Sequence, residues 1–350
     1  MTRRALTLSL GTALSAALAL GGAVTPVPYV ALEPGPTFDT LGAEGTEGGQ
    51  PVIEITGRET FPTTGKLDLT TVSVSQRLTL GAALWGWFER DKAVLPREIV
   101  YPADKTDEEV EADNQQSMQQ SQDTATAAAL RVLKIRSEVV TVDQVPAGPS
   151  TGKLQPGDVI VEVDGEPVLD GPGLRDLIGT RQPGEPVRIG FRRDSSAVQE
   201  VTVTTAASPD DPANPDAAPR PVIGVVTMPT PVRDINVDIN LKDVGGPSAG
   251  LMFALGIVDK LDKVDITGGR HIAGTGEMSA DGRVGPIGGI SQKLLGARRK
   301  GATVFLVPAD NCAEAKGSIP DGLTLIKAAT LRDALVGLRV LRDGGVPEGC

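Results

Sequence analysis

The chain has 350 residues, of which 40% are hydrophobic and 23% are charged, so it can bury the cores of about two domains. Its net charge of −11 and its 3% of aromatic residues argue against nucleic-acid binding, which needs a basic face. One histidine, His271, and two cysteines exclude sites that need two imidazoles and zinc sites built on cysteine clusters. We expect neither a metal nor a cofactor.

The N-terminus is a hydrophobic segment behind a short basic start. Arg3 and Arg4 precede residues 5–32, which contain no charged residue. About 20 apolar residues span a bilayer as a helix, and flanking arginines stay in the cytoplasm. We therefore predict a single-pass anchor at 1–32 in the cell membrane, with the bulk of the chain extracytoplasmic. A signal peptide cleaved near the small residues 21–23 and a buried core helix are the alternatives.

Residues 36–134 are predicted to form an extracytoplasmic segment that packs against the last domain. Alternating polar and apolar residues predict strands at 51–56 and 66–75. Residues 78–90 contain both tryptophans and are predicted to form a helix or a surface segment. Residues 108–134 lack β-branched runs and predict a longer helix.

Turn and strand signals alternate from residue 137 to residue 204. Predicted strands at 137–145 and 159–163 precede a short helix at 173–179 and a hairpin at 186–204. The order resembles a PDZ domain over residues 135–206, whose L-x-x-G-D-x-I-x-x-V-x-G sequence is matched by Leu154, Gly157, Asp158, Ile160, Val163 and Gly165. The resemblance implies capture of an extended peptide as an added strand. A small β-rich spacer is the alternative, and the Pro- and Asp-rich residues 207–221 are predicted to be a linker.

The sequence GGPSAG, residues 245–250, precedes an apolar stretch. Gly-Gly-Pro does not form a helix interior, so we predict a helix that begins near Ser248. The Ser248 hydroxyl then lies beside free backbone N–H groups, which can stabilise an oxyanion. Ser248 as a simple N-cap is one alternative. The G-x-S-x-G pattern of α/β-hydrolases is another; it would need His271, which we expect in a loop.

A neutral lysine can also activate a serine. A predicted helix after Gly288 and Gly289 carries Lys293, on the same face as Gly296 and Ala297, and a predicted strand at 304–307 follows it. A free lysine has a pKa near 10.4, so a base that works at pH 7 needs a pKa about 3 lower, which burial can supply. A solvated surface charge is the alternative.

Together these segments resemble the proteolytic domain of Lon proteases over residues 222–341. The family's G-P-S-A-G occurs at 246–250, its T-G-E at 275–277 and its P-I-G-G-x-x-x-K at 286–293. The resemblance implies that Ser248 is the nucleophile, that Lys293 is its general base and that Thr275 orients Lys293. Many Lon domains have an acidic residue three before the serine, where this chain has Gly245, and Asp243 lies five before it.

The predicted fold is mixed α+β, with an N-terminal transmembrane helix, a PDZ-like domain and a Lon-type proteolytic α/β domain at 222–345. This combination resembles the YlbL-type, PDZ-containing Lon-like proteases of Gram-positive bacteria. No P-loop sequence is present, since residues 148–154 depart from it in spacing and in the last residue. The prediction is therefore an ATP-independent serine endopeptidase that degrades or processes unfolded or exported polypeptides.

A peptide-binding adaptor with an inert Lon-like domain and an esterase that uses His271 remain alternatives. The resemblance also implies a possible homo-oligomer, with rings of six common in Lon domains. Cys312 and Cys350 form either a disulfide or two unpaired thiols.

Overall fold

The computed structural model of the chain describes residues 3–43, 49–89, 91–194, 196–209, 218–232, 234–241 and 244–350. Its first part contains helices and strands in alternation: α1 (Arg3–Val24), β1 (Pro26–Val27), β2 (Tyr29–Asp39), β3 (Ile53–Thr56), β4 (Lys66–Ser75), β5 (Leu78–Thr79), α2 (Leu80–Gly86), β6 (Ala93–Pro96), α3 (Arg97–Val100) and α4 (Asp107–Val132). A capping box between Thr106 and Glu109 starts α4, as the acidic first turn favours.

The middle of the chain is mostly β-structure: β7 (Glu138–Gln144), β8 (Val159–Val163), β9 (Glu166–Pro167), α5 (Gly171–Gly179), β10 (Pro186–Arg192), β11 (Gln199–Thr204), β12 (Ala206–Ala207), β13 (Pro221–Val222) and β14 (Val226–Pro231). The last part returns to alternation: β15 (Asn236–Ile239), α6 (Gly250–Leu261), β16 (His271–Gly274), β17 (Glu277–Met278), β18 (Val284–Gly285), α7 (Ile290–Arg299), β19 (Val304–Pro308), a 3₁₀ turn (Ala309–Asn311), α8 (Cys312–Ala315), β20 (Thr324–Ala328) and α9 (Leu331–Arg342).

The first helix is shorter than the anchor predicted at 1–32. It ends at Val24, because Pro26 and Pro28 cannot continue a helix. The chain then enters β2, where Val30 and Ala31 are buried in the core. Among the residues that the structure describes, no helix is both long and apolar enough to cross a bilayer. Membrane anchoring therefore stays a prediction.

A six-stranded sheet forms the largest layer, in the order β20-β19-β16-β4-β2-β6. β4, β16, β19 and β20 are parallel neighbours, whereas β2 runs antiparallel to β4 and β6. Residues 29–96 thus supply half of this sheet: β4 and β6 lie in the segment predicted at 36–134, whereas β2 begins within the anchor predicted at 1–32. A sequence pattern of local strands could not reveal this, because the pairing joins residues that are about 200 positions apart in the chain.

Both faces of this sheet are covered, which makes it the middle layer of a three-layer α/β structure. Along β19, Val304 and Leu306 belong to the core under α4, α6 and α9, while Phe305 and Val307 belong to the core under α7 and α8. The alternation follows from the two-residue period of a strand. Cys312 on α8 is disulfide-bonded to Cys350, which ties the C-terminal tail to the second core.

The second sheet has the order β11-β10-β8-β7-β14 and its own core. Its last strand corrects the predicted boundary at 222, because β14 pairs with β7 from Val226↔Gln144 to Pro231↔Glu138. The first and last residues of the predicted linker at 207–221 are paired with each other, since Ala207 on β12 pairs with Pro221 on β13. Residues 210–217 lie outside the described residues. The β-rich domain therefore continues to residue 231 before the chain crosses to β15.

Candidate active site

Ser248 lies in a tight loop that leads into α6. The helix begins at Gly250 with Ala249 as its N-cap, two residues later than predicted. Gly246 has φ +87°, which favours glycine, and a Cβ at Gly250 would lie 2.7 Å from Met278 Cβ. The glycines that flank Ser248 thus allow the loop to pack closely while Ser248 itself stays half-buried.

Helix α4 holds this loop from outside the GPSAG sequence. The Gly246 N–H donates to the Asn114 carbonyl at 2.8 Å. The Ser121 hydroxyl donates to the Pro247 carbonyl at 3.0 Å and is 4% exposed as a residue. Neither residue was predictable from the sequence, because a helix of ordinary polar composition gives no signal for a partner more than 120 residues away.

Lys293 projects from α7 into the interior. Gly289, with φ +70°, starts this helix, and Lys293 is only 2% exposed. Burial disfavours the charged ammonium and lowers the pKa of Lys293 to about 7, while the negative charge of Glu277 opposes part of this lowering. A substantial fraction of Lys293 is therefore neutral near pH 7, which is the form that can accept a proton.

Three predicted site residues lie together. Lys293 Nζ is 2.8 Å from Ser248 Oγ and 2.9 Å from Thr275 Oγ1. The Thr275 hydroxyl donates to the Ser248 carbonyl at 3.0 Å, and the Gly276 N–H donates to the same carbonyl at 2.8 Å. Thr275 is fully buried at the end of β16, so it fixes both the amine and the serine backbone in one arrangement.

A further contact holds the loop before α7. The Ile287 N–H donates to Asn311 Oδ1, and Asn311 Nδ2 donates to the Ile287 carbonyl, both at 2.9 Å. Asn311 is 6% exposed and immediately precedes the disulfide-bonded Cys312. It clamps the Pro-Ile-Gly-Gly turn that positions Lys293, and nothing in the local sequence indicated this.

A cleft of about 270 Å³ opens onto Ser248 and Lys293. One wall is β4, from Thr70 to Ser73. β16 pairs with β4 only as far as Gly274↔Leu69, so among the described residues no strand pairs with that side of β4 beyond Leu69. An unpaired strand edge beside the serine can accept an extended chain through backbone hydrogen bonds.

His271 is not near this site. It begins β16 instead of lying in a loop, and its Nε2 is 2.8 Å from Asp68 Oδ2. An extended strand rises about 3.3 Å per residue, which puts His271 about 13 Å before Thr275. The esterase alternative, which needs His271 as the base for Ser248, is therefore wrong.

Two further sequence features concern metal ligands and the acidic residue that precedes Ser248. Within the described ranges no group of three or more His, Cys, Asp or Glu residues could hold a metal ion. Asp243 lies outside the described residues.

Two family models match segments of the chain. Residues 239–336 match the family model of the Lon protease (S16) C-terminal proteolytic domain, and residues 116–205 match that of the PDZ domain. The chain contains a Lon proteolytic domain and a PDZ domain. The resemblances of these two segments to a PDZ domain and to the Lon proteolytic domain are confirmed, as is the mixed α/β character of the fold, whereas the predicted transmembrane helix stays a prediction.

Curated Lon proteases match the C-terminal region of the chain. Lon protease 1 of Bacillus subtilis is 40% identical over 93 residues, which are 26% of this chain and 12% of that protein. Lon protease of Azospirillum brasilense is 38% identical over 108 residues, which are 29% of this chain and 13% of that protein. The chain thus spans about an eighth of the length of these relatives.

The solved structures include the PDZ domain of the SdrC-like protein Lin2157 from Listeria innocua. It is 26% identical, covers 25% of this chain and 92% of its own length, and has a TM-score of 0.22.

Proposed function

We propose that the protein is a membrane-anchored, ATP-independent serine endopeptidase in which Ser248 and Lys293 form the catalytic dyad. The observation that carries the proposal is the 2.8 Å contact between Ser248 Oγ and the buried amine of Lys293, in a cleft open to substrate. A buried lysine beside a half-buried serine at the start of a helix has little structural purpose, because burying an ammonium is unfavourable.

The reaction follows from the positions of these groups. Ser248 Oγ attacks the scissile carbonyl while its proton moves to neutral Lys293. Backbone N–H groups at the start of α6 stabilise the resulting oxyanion. The Lys293 ammonium then gives its proton to the leaving amine, and an acyl group remains on Ser248. Water hydrolyses this ester with Lys293 again as the base, and the free serine is restored.

The substrate is an unfolded or loosely structured polypeptide. It lies extended along the open edge of β4, beyond Leu69, with its scissile bond over Ser248. The chain lacks a P-loop sequence and so has no ATP-driven unfolding step of its own. Lon domains commonly form rings of six, and a homo-oligomer of this kind is part of the proposal.

The PDZ domain captures peptides before cleavage. β14 is an edge of its sheet and lies beside α5, where a Cβ at Gly171 would be 3.4 Å from Pro229. The Val232 N–H donates to the Ser137 carbonyl. In this antiparallel register the backbone nitrogen and carbonyl of residues 229 and 231 therefore point away from β7, towards the open edge. Both are prolines without an N–H, which limits strand addition to the part of β14 before Pro229.

Casein cleavage without nucleotide tests the proposal. The full chain in detergent is expected to degrade casein, an unfolded substrate, at the same rate with and without ATP. An adaptor with an inert Lon domain would bind peptides and leave casein intact. A rate that depends on added ATP would contradict the ATP-independent mechanism.

Thr275→Val is expected to lower kcat/KM about 10- to 100-fold, because Lys293 loses one of its two side-chain contacts and the reacting geometry loosens. The hydroxyl oxygen of Thr275 stabilises the charged amine, so its loss also moves the acidic limb of the pH profile to lower pH. Thr275→Ser should restore both. Thr267→Val removes another buried threonine hydroxyl, away from the cleft, and should leave kcat unchanged. An unshifted pH limb in Thr275→Val would contradict contact with the base.

A further inference from the structure

Exposed apolar side chains are concentrated in one region. Among the described residues, ten of the eighteen large apolar side chains that are exposed belong to α1 or to residues 80–88. We call the second group the aromatic patch: Leu80, Leu84, Trp85, Trp87 and Phe88. Phe88 is 85% exposed. Soluble surfaces rarely leave so many neighbouring apolar groups in water, so the patch needs a partner.

The aromatic patch is attached to the end of α1. β1 follows α1 directly and pairs with β5, the two residues before α2. The Leu80 N–H donates to the Thr25 carbonyl at 2.9 Å, and a Cβ at Gly22 would lie 3.8 Å from Leu80 Cδ2. The patch therefore lies level with the last turn of α1, where the chain leaves that helix.

Local packing keeps the patch turned outward. A Cβ at Gly86 would lie 2.8 Å from Val94 Cγ2, so α2 lies directly against β6 and cannot sink further. The Trp87 ring is edge-on to Tyr29, with ring centres 6.4 Å apart. The Trp85 indole N–H donates to Glu89 Oε1 at 2.7 Å. Each indole ring therefore contacts the protein through one neighbour, while most of its surface is exposed.

Charged residues border the patch on the side of the protein body. Lys92 is paired with Glu89 at 2.8 Å and with Glu33 at 3.4 Å. Asp91 is paired at 2.8 Å with Arg299, the last residue of α7. Aromatic rings with apolar neighbours on one side and ion pairs on the other are typical of side chains at a membrane–water interface.

We propose that the aromatic patch inserts into the interfacial layer of the bilayer that holds α1. This inference rests on the proposed membrane anchor and adds a second contact between protein and lipid. Because α2 lies directly against β6, an edge strand of the six-stranded sheet, the contact orients that sheet and its cleft relative to the membrane. The proposed partner is a lipid surface. If α1 is inserted in the bilayer, the patch beside its last turn lies at the bilayer surface.

Tryptophan fluorescence tests this without a label. Trp85 and Trp87 are the only tryptophans of the chain, so their emission reports on the patch alone. The full chain is reconstituted into phosphatidylcholine vesicles, which carry no net charge to repel a protein of charge −11. Matched vesicles contain lipids brominated either near the headgroup end or near the methyl end of the acyl chain. Flotation in alkaline carbonate measures anchoring by α1, and casein cleavage measures the protease.

We expect the vesicles to float with the protein and the headgroup-end bromines to quench the emission more strongly than the methyl-end bromines. Phe88→Asp keeps both tryptophans and should reduce this quenching at least about twofold, since interfacial binding scales with buried apolar area. Val346→Asp, at a side chain that is 94% exposed elsewhere, should not change it.

Flotation of the protein without quenching by brominated lipid would overturn the proposed insertion of the aromatic patch and would still support the α1 anchor. Emission that depends on protein dilution but not on brominated lipid would indicate a second copy of the chain as the partner and would also overturn it. Absence of flotation would overturn both the anchor and the patch, while casein cleavage would still report on the protease.

Discussion

Ser248→Ala is expected to lower kcat for casein cleavage by at least about 10³-fold, because loss of the nucleophile removes the acyl-enzyme route. The remaining oxyanion donors and cleft can accelerate hydrolysis only weakly. The fold should be nearly unaffected, since Ser248 is half-buried and Lys293 keeps its contact with Thr275. Rates of peptide release and the melting temperature of the variant measure the two effects separately.

Ser291→Ala is the matched control. Ser291 lies on the helix that carries Lys293, but its hydroxyl contacts Ser318 and does not line the cleft. It should cleave casein at the wild-type rate. Undiminished cleavage by Ser248→Ala would show that Ser248 is not the nucleophile and would reject the serine mechanism.

Lys293→Met is expected to abolish cleavage to a similar degree and, at the same time, to stabilise the protein. The pKa of Lys293 is about 10.4 in the unfolded chain, and burial lowers it to about 7 in the folded protein. Folding therefore favours loss of the Lys293 proton, which costs free energy at neutral pH. At pH 7 the difference corresponds to about 4 kcal/mol against folding. Loss of two hydrogen bonds, at about 1 kcal/mol each, leaves a net gain of about 2 kcal/mol in the free energy of unfolding.

The pH dependence of this gain identifies its cause. A folded-state pKa below the unfolded one destabilises the protein most at pH 7 and below, and the penalty disappears as the pH rises towards 10.4. Urea unfolding of Lys293→Met and wild type should therefore differ most at pH 6 and least at pH 10. Equal differences at both values would mean that Lys293 is not buried as a neutral amine. Lys300→Met, at an exposed residue next to the same helix, should change neither stability nor activity.

Short sequence patterns predicted the residues that lie together in the cleft, because each pattern requires a particular local backbone. Gly246 and Gly250 beside Ser248 and the Gly-Gly turn before Lys293 meet steric needs that are visible in the chain itself. The burial of Lys293 was also predictable, from Gly296 and Ala297 on the same helical face. The contacts of Asn114 and Ser121 with the loop before α6, and of Asn311 with the turn before α7, could not be predicted from the sequence. Nothing in the sequence around an ordinary polar residue indicates which distant residue it contacts.

Domain limits were less predictable for the same reason. β14 belongs to the PDZ sheet although the chain between β11 and β14 has a linker-like composition. β2, β4 and β6 complete the Lon-domain sheet although they precede the PDZ domain in the chain. Strand pairing depends on which edges meet in three dimensions, and alternation within one strand does not determine its neighbour.

The central claim is that a neutral Lys293 removes the proton of Ser248, and the pH dependence of kcat/KM tests it most directly. The substrate should be a peptide without ionisable side chains. Since the base is active only when neutral and burial lowers its pKa to about 7, kcat/KM should be level above about pH 8 and should fall about tenfold per pH unit in acid. At pH 5 it should be about 100-fold below the plateau. A kcat/KM that is the same at pH 5 and pH 8, with the protein folded at both, would contradict the account.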